Sequence, residues 1–185
     1  MPTPTYSVCV YCGSRDGADA AYANAAEDTG AMLAANSWRL VYGAGDVGLM
    51  GRVARAAQAG GGDTFGVIPE HLLKWEVGKT DLTTFIVTET MHERKKVMLM
   101  NADTVVVLPG GAGSLDELFE ALTWRQLGLH RKPIYLLNIN GYWDPLLALM
   151  DQITGQGFAD ASLHDYMTVV PDVAQLQIQL RAAQG

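Results

Sequence analysis

Short runs apolar on both faces alternate along this chain with stretches long enough to form helices, and few folds accommodate that pattern. The runs at 7–11, 39–42, 64–68, 85–88, 104–108 and 133–137 are rich in β-branched and aromatic residues and read as strands. The intervening stretches 18–36, 49–59, 91–101 and 114–127 suit crossover helices. A helical segment at 143–156, a weak strand at 167–170 and a helix from Asp172 complete the order. Strands buried on both faces belong to parallel sheets covered by helices. The expected fold is therefore α/β, a Rossmann-like doubly wound parallel sheet in a single nucleotide-binding domain over residues 1–185. In such sheets ligands bind beyond the carboxyl ends of the strands, so the strand exits are where chemistry is expected.

Composition narrows the ligand. With 13 Lys and Arg against 20 Asp and Glu, a net charge of −7 repels nucleic acid backbones on average. A few backbone N–H groups can still build a local anion site for a small phosphorylated molecule. The N-terminus lacks a basic flank with an apolar stretch, and no run is long enough to span a bilayer, so a cytoplasmic protein without membrane attachment is expected. Cys9 and Cys12 have the spacing of a metal or redox pair, but no second pair exists and Cys9 falls inside a strand. They read as reduced structural thiols. His92 has no second ligand at metal-binding spacing, so no metal site is expected.

Two glycine-rich turns leave strands. Gly43-Ala44-Gly45-Asp46-Val47-Gly48 satisfies the G-x-G-x-x-G spacing, which keeps a nicotinamide-dependent enzyme in view. It opens the second β-α unit rather than the first, and its glycines could simply permit tight packing. The second turn, Pro109-Gly110-Gly111-Ala112-Gly113-Ser114, would offer N–H donors, the positive end of a helix dipole and a hydroxyl to a phosphate. The same residues also read as a capping box, with Ser114 as N-cap and Glu117 as its partner. Helical spacing alternatively places Glu117 beside the turn, facing a ligand. In the preceding helix, Arg94 and Lys95 lie near a strand exit, positioned to meet an anion, while Lys96 reads as solvated.

Met91-His92-Glu93-Arg94-Lys95, followed by Pro109-Gly110-Gly111-Ala112-Gly113-Ser114-Leu115-Asp116-Glu117, resembles the paired signature of the LONELY GUY (LOG) family. Further likeness lies in Tyr11-Cys12-Gly13-Ser14, Leu40-Val41-Tyr42-Gly43, Gly48-Leu49-Met50-Gly51 and Thr123-Trp124-Arg125-Gln126-Leu127-Gly128. The resemblance implies a cytokinin riboside 5′-monophosphate phosphoribohydrolase, a family long mislabelled as lysine decarboxylases. It implies Arg94 and Glu117 as catalytic residues. Glu76, Lys95, Gly110, Gly111, Ala112, Gly113, Ser114 and Thr123 would bind substrate, and Gly13, Ser14, Gly43, Gly45 and Met91 would contact phosphate or base. It also implies a homodimer acting on a small nucleoside 5′-monophosphate without metal or cofactor. Three departures stand out: Ser114 in place of threonine, Ala44 in place of a middle glycine, and Arg15 in place of a small polar residue.

Glycosidic cleavage develops positive charge on the ribosyl carbon, which a fixed carboxylate stabilises. Glu117 is expected in that role, in the first helical turn and ionised beside Arg94. Arg94 is expected to grip phosphate or a ribose hydroxyl with its two-pronged fork. A non-catalytic nucleotide- or molybdopterin-binding module is the alternative on the same fold.

Overall fold

The computed structural model describes residues 6–73 and 79–184. Among the described residues seven parallel strands form one sheet: β1 (Ser7–Tyr11), β2 (Arg39–Tyr42), β3 (Thr64–Pro69), β4 (Thr84–Thr88), β5 (Thr104–Val107), β6 (Ile134–Leu137) and β7 (Thr168–Val170). The α-helices α1 (Ala20–Ala35), α2 (Gly48–Ala59), α3 (Met91–Met100), α4 (Ala112–Gln126), α5 (Asp144–Gly155) and α6 (Val173–Ala182) connect and cover them. This is the Rossmann-like α/β architecture that the alternation predicts. Short 3-10 turns at Glu70–Leu72, Ile139–Gly141 and Ala161–Tyr166 carry no periodic apolar signal and are not foreseen.

The spatial order is β4-β3-β2-β1-β5-β6-β7. From β1 the chain builds outward to β4, then returns to place β5 on the other side of β1 and builds outward again. The reversal leaves a crevice at the carboxyl ends of β1 and β5. The interior strands are buried along nearly their whole length, whereas β4, at the edge, is half-buried. One core layer joins the sheet to α1, α2 and α6 through Ala26, Leu33, Val53, Leu176 and Leu180. The opposite layer packs α3, α4 and α5 through Met98, Leu118, Leu122, Leu146 and Met150. Among the described residues no helix is long and apolar enough to cross a membrane.

Helix starts depart from expectation in an informative way. The capping box belongs to α3: Thr90 Oγ1 accepts from Glu93 N at 3.2 Å, and Glu93 Oε2 accepts from Thr90 N at 3.2 Å. The capping box expected at Ser114 and Glu117 does not form. Helix α4 begins two residues earlier, at Ala112, with Gly111 as an N-cap that has no side chain to close the helix end. Ser114 is therefore the third helical residue, and Glu117 lies in the second turn rather than the first.

Candidate active site

The crevice at the β1/β5 switch opens into a cleft of about 670 Å³, within the usual range for small-molecule sites. Its floor is the turn from β5 into α4. Three successive carbonyls of that turn are engaged by the protein. Pro109 O accepts from Gly13 N at 3.0 Å, Gly110 O from the Tyr142 hydroxyl at 2.6 Å, and Gly111 O from Leu115 N at 3.1 Å. The opening N–H groups of an α-helix have no partner within it, and here no cap side chain supplies one. With its carbonyls turned to other partners, the turn presents donors and the positive helix end to the cleft, an arrangement suited to an anion. Gly110, Gly111, Ala112, Gly113 and Ser114 all line this cleft.

Arg94 and Glu117 line the same cleft from α3 and α4. Arg94 is only 4 % exposed. Its Nε donates to Val67 O at 3.1 Å and its Nη2 to Gly43 O at 2.6 Å, both main-chain acceptors near the exits of β3 and β2. The side-on fork expected to grip substrate is thus occupied by the protein, and Nη1 lies 3.8 Å from Met91 Sδ. Gly43 must be glycine for this contact, because a Cβ there would sit 2.0 Å from Arg94 Nη2. The charges of Glu117 and Arg94 both act on Cys12, the residue that follows β1. Burial, then Glu117, pushes the Cys12 thiol far above its ordinary range, with Arg94 opposing. Cys12 lines the cleft as an inert neutral thiol.

The remaining expected residues fall in different places. Gly13, Ser14 and Met91 line the cleft. Gly43 and Gly45 are not among its lining residues; Gly43 sits behind Arg94, and a Cβ on Gly45 would meet Met50 Cε at 2.7 Å. Their turn instead serves packing, and at Gly48 this is explicit. Its φ is +58°, and a Cβ would lie 2.3 Å from Ser14 C, so the glycine lets α2 start against the loop that leaves β1. Ala44 adopts φ +58° with its methyl buried, the left-handed geometry that a glycine would take without steric cost. Lys95 is buried behind the cleft, its Nζ 2.9 Å from both Asp116 Oδ2 and Glu120 Oε2. Burial opposes its charge, but the hydrogen bonds to Glu120 and Asp116 prevail and hold its pKa above the ordinary lysine value. Thr123 is exposed near the far end of α4, away from the cleft lining. Glu76 lies outside the described residues.

Sequence reasoning missed Tyr22 and Tyr142, which line the cleft edge to face with ring centroids 5.2 Å apart. The one signal available for Tyr142 was its position just beyond the exit of β6. Tyr22 lies in the first turn of α1 and has no signal of its own in the sequence.

Solved structures with this architecture include a molybdenum cofactor binding protein from Rippkaea orientalis, at TM-score 0.72 and 20% identity over 96% of each chain. The molybdenum cofactor carrier protein of Chlamydomonas reinhardtii superposes with TM-score 0.72 and 20% identity over 96% of this chain and 97% of its own. At that identity the likeness establishes the fold alone. The family described as "Possible lysine decarboxylase" matches residues 50–180. A probable cytokinin riboside 5′-monophosphate phosphoribohydrolase of Oryza sativa subsp. japonica is 41% identical over 97% of this chain and 78% of its own length. A probable phosphoribohydrolase of the same name from Arabidopsis thaliana is 41% identical over 94% of this chain and 87% of its own. Such identity over nearly the whole fold, with the glycine turn, Arg94 and Glu117 gathered at one cleft, shows that the chain belongs to the LOG family of cytokinin riboside 5′-monophosphate phosphoribohydrolases.

Proposed function

We propose that this protein hydrolyses the N-glycosidic bond of a nucleoside 5′-monophosphate, an N6-modified adenosine monophosphate or AMP, to free base and ribose 5-phosphate. The observation that carries this reading is the course of α4: its uncapped N-terminus suits a phosphate, and one turn further on Glu117 faces the same cleft. A phosphate seated at the turn positions the attached ribose within reach of that carboxylate. As the bond from the ribosyl carbon to the base nitrogen breaks, the electron pair leaves with the base, which gains a proton. Water adds its oxygen to the ribosyl carbon and releases a proton. Glu117 stabilises the oxocarbenium-like centre and orients the water. Arg94, fixed by two main-chain carbonyls, acts as a preorganised positive group beside the reacting sugar.

The description "Possible lysine decarboxylase" would require a lysine amine at the reacting centre. Among the described residues no lysine lines the cleft, and Lys95 is engaged by two carboxylates.

Incubation with AMP and with isopentenyladenosine 5′-monophosphate, followed by chromatography of the free base, tests the proposal. The wild type is expected to release base, and Glu117→Gln to lose about 100-fold or more in kcat. Undiminished turnover by that variant would overturn the assignment of Glu117. We further place the protein in the cytoplasm as a homodimer without a nucleic acid partner. Met100, Leu127 and Leu129, exposed near the C-terminal ends of α3 and α4, suit a contact between copies. Sedimentation at twice 19.9 kDa would support the dimer, and at 19.9 kDa would refute it.

A further inference from the structure

The cleft has two sides. The α3/α4 side carries Arg94 and Glu117, while the loop leaving β1 toward α1 brings Arg15 to the other side. That loop is held beside the anion turn by Gly13 N donating to Pro109 O, and is backed by the start of α2 at Gly48. Arg15 is exposed on the cleft lining, with no hydrogen bond or ion pair of its own among the described residues. The adjacent carboxylate, Asp16, is already engaged: Arg52 Nε and Nη2 bind its two oxygens at 2.7 and 3.1 Å. The same guanidinium takes Glu27 Oε1 at 2.6 Å. Asp116, across the cleft, is paired with Lys95. Asp16 and Asp116 are thus engaged by Arg52 and Lys95 rather than by Arg15.

We infer that Arg15 is a substrate-binding and specificity-determining residue. In this assignment it closes over the outer oxygens of the 5′-phosphate opposite the N-terminus of α4, and so selects phosphorylated nucleosides over free ones. This inference rests on the proposed phosphoribohydrolase reading. It supplies the charged contact that Arg94 cannot make with its side-on fork, which is held by Val67 O and Gly43 O. The turn contributes N–H donors, and Arg15 contributes the full positive charge and planar fork suited to a dianionic phosphate. The contact is made to a part of the substrate that does not react, so its energy appears in binding more than in the chemical step.

Arg15→Ala and Arg15→Lys, compared with the wild type, give the test. With AMP as substrate, Arg15→Ala is expected to raise KM about tenfold while kcat stays within about twofold, with Arg15→Lys between the two. Ribose 5-phosphate binding, measured by calorimetry without turnover, is expected to weaken by a similar factor in Arg15→Ala. Cleavage of adenosine, which has no phosphate to grip, is expected to respond little, so the preference for the monophosphate narrows. Unchanged KM and unchanged ribose 5-phosphate affinity in Arg15→Ala would overturn the inference, as would a fall in kcat with KM unmoved. The two readings fail separately. A wild type that binds ribose 5-phosphate through Arg15 but releases no base from any monophosphate removes the hydrolase reading and leaves the anion clamp standing. Base release with a KM indifferent to Arg15 does the reverse.

Discussion

Arg94 is the residue in which structural and chemical roles are hardest to separate. Its Nε and Nη2 satisfy the carbonyls of Val67 and Gly43, and leaving such buried acceptors unpaired costs roughly 1–3 kcal/mol. A lysine at that position cannot reach both acceptors from one ammonium. Arg94→Lys is therefore expected to lower stability by roughly 1–3 kcal/mol, read from the denaturant midpoint, and to lose most base-releasing activity. Activity close to wild type would show that a fixed guanidinium is not needed for the chemistry. That Arg94 and Glu117 would line one cleft at the strand exits was legible in the sequence through their motif and helical spacing. Their surroundings were not, because the main-chain carbonyls of Gly43 and Val67 leave no mark on the residues that present them. For the same reason the room that Gly43 makes for the arginine could not be read from the sequence.

At the scale of elements, the start of α4 decides what the glycine turn can do. The pattern Ser-x-x-Glu at 114–117 matched a cap by spacing, yet the true cap lies in α3, and α4 begins unclosed. Local pattern could not separate these outcomes, since both stretches offer a hydroxyl followed three residues later by a glutamate. The far end of α4 is tied down by His130, whose Nε2 lies 2.8 Å from Ala121 O while its Nδ1 accepts from Lys132 N at 3.2 Å. That pairing makes Nε2 the donor and requires a neutral ring. Burial, ahead of the opposing Ala121 carbonyl, lowers the His130 pKa below 6.5. The unfolded chain takes up this proton at a pH where the folded chain still resists it. The contribution of His130 is therefore complete above the unfolded pKa and declines as pH falls below about 6.5. The melting temperature is expected to drop between about pH 7 and pH 5, and His130→Gln, which cannot become charged, should remove part of that drop. An identical pH dependence in the variant would exclude the histidine as its source.

For the molecule as a whole, the order of strands and helices was readable because interior parallel strands are apolar on both faces. Their arrangement across the sheet was not, because β1 finds β5 through pairing between distant parts of the chain, which no single run of residues encodes. That pairing joins two contiguous halves of the sheet, β1 to β4 on one side and β5 to β7 on the other. The cleft lies over the join, drawing Gly13, Ser14 and Arg15 from the first half and the 109–114 turn from the second. A ligand seated there acts as a clasp between the halves, and whatever binds the native state alone stabilises it by mass action. Saturating ribose 5-phosphate is expected to slow amide hydrogen exchange in β1 and β5 together; protection confined to the turn would contradict this. Occupancy of a surface cleft would then govern how long the two halves of the sheet remain closed, tying the lifetime of the folded protein to the supply of the molecules it binds.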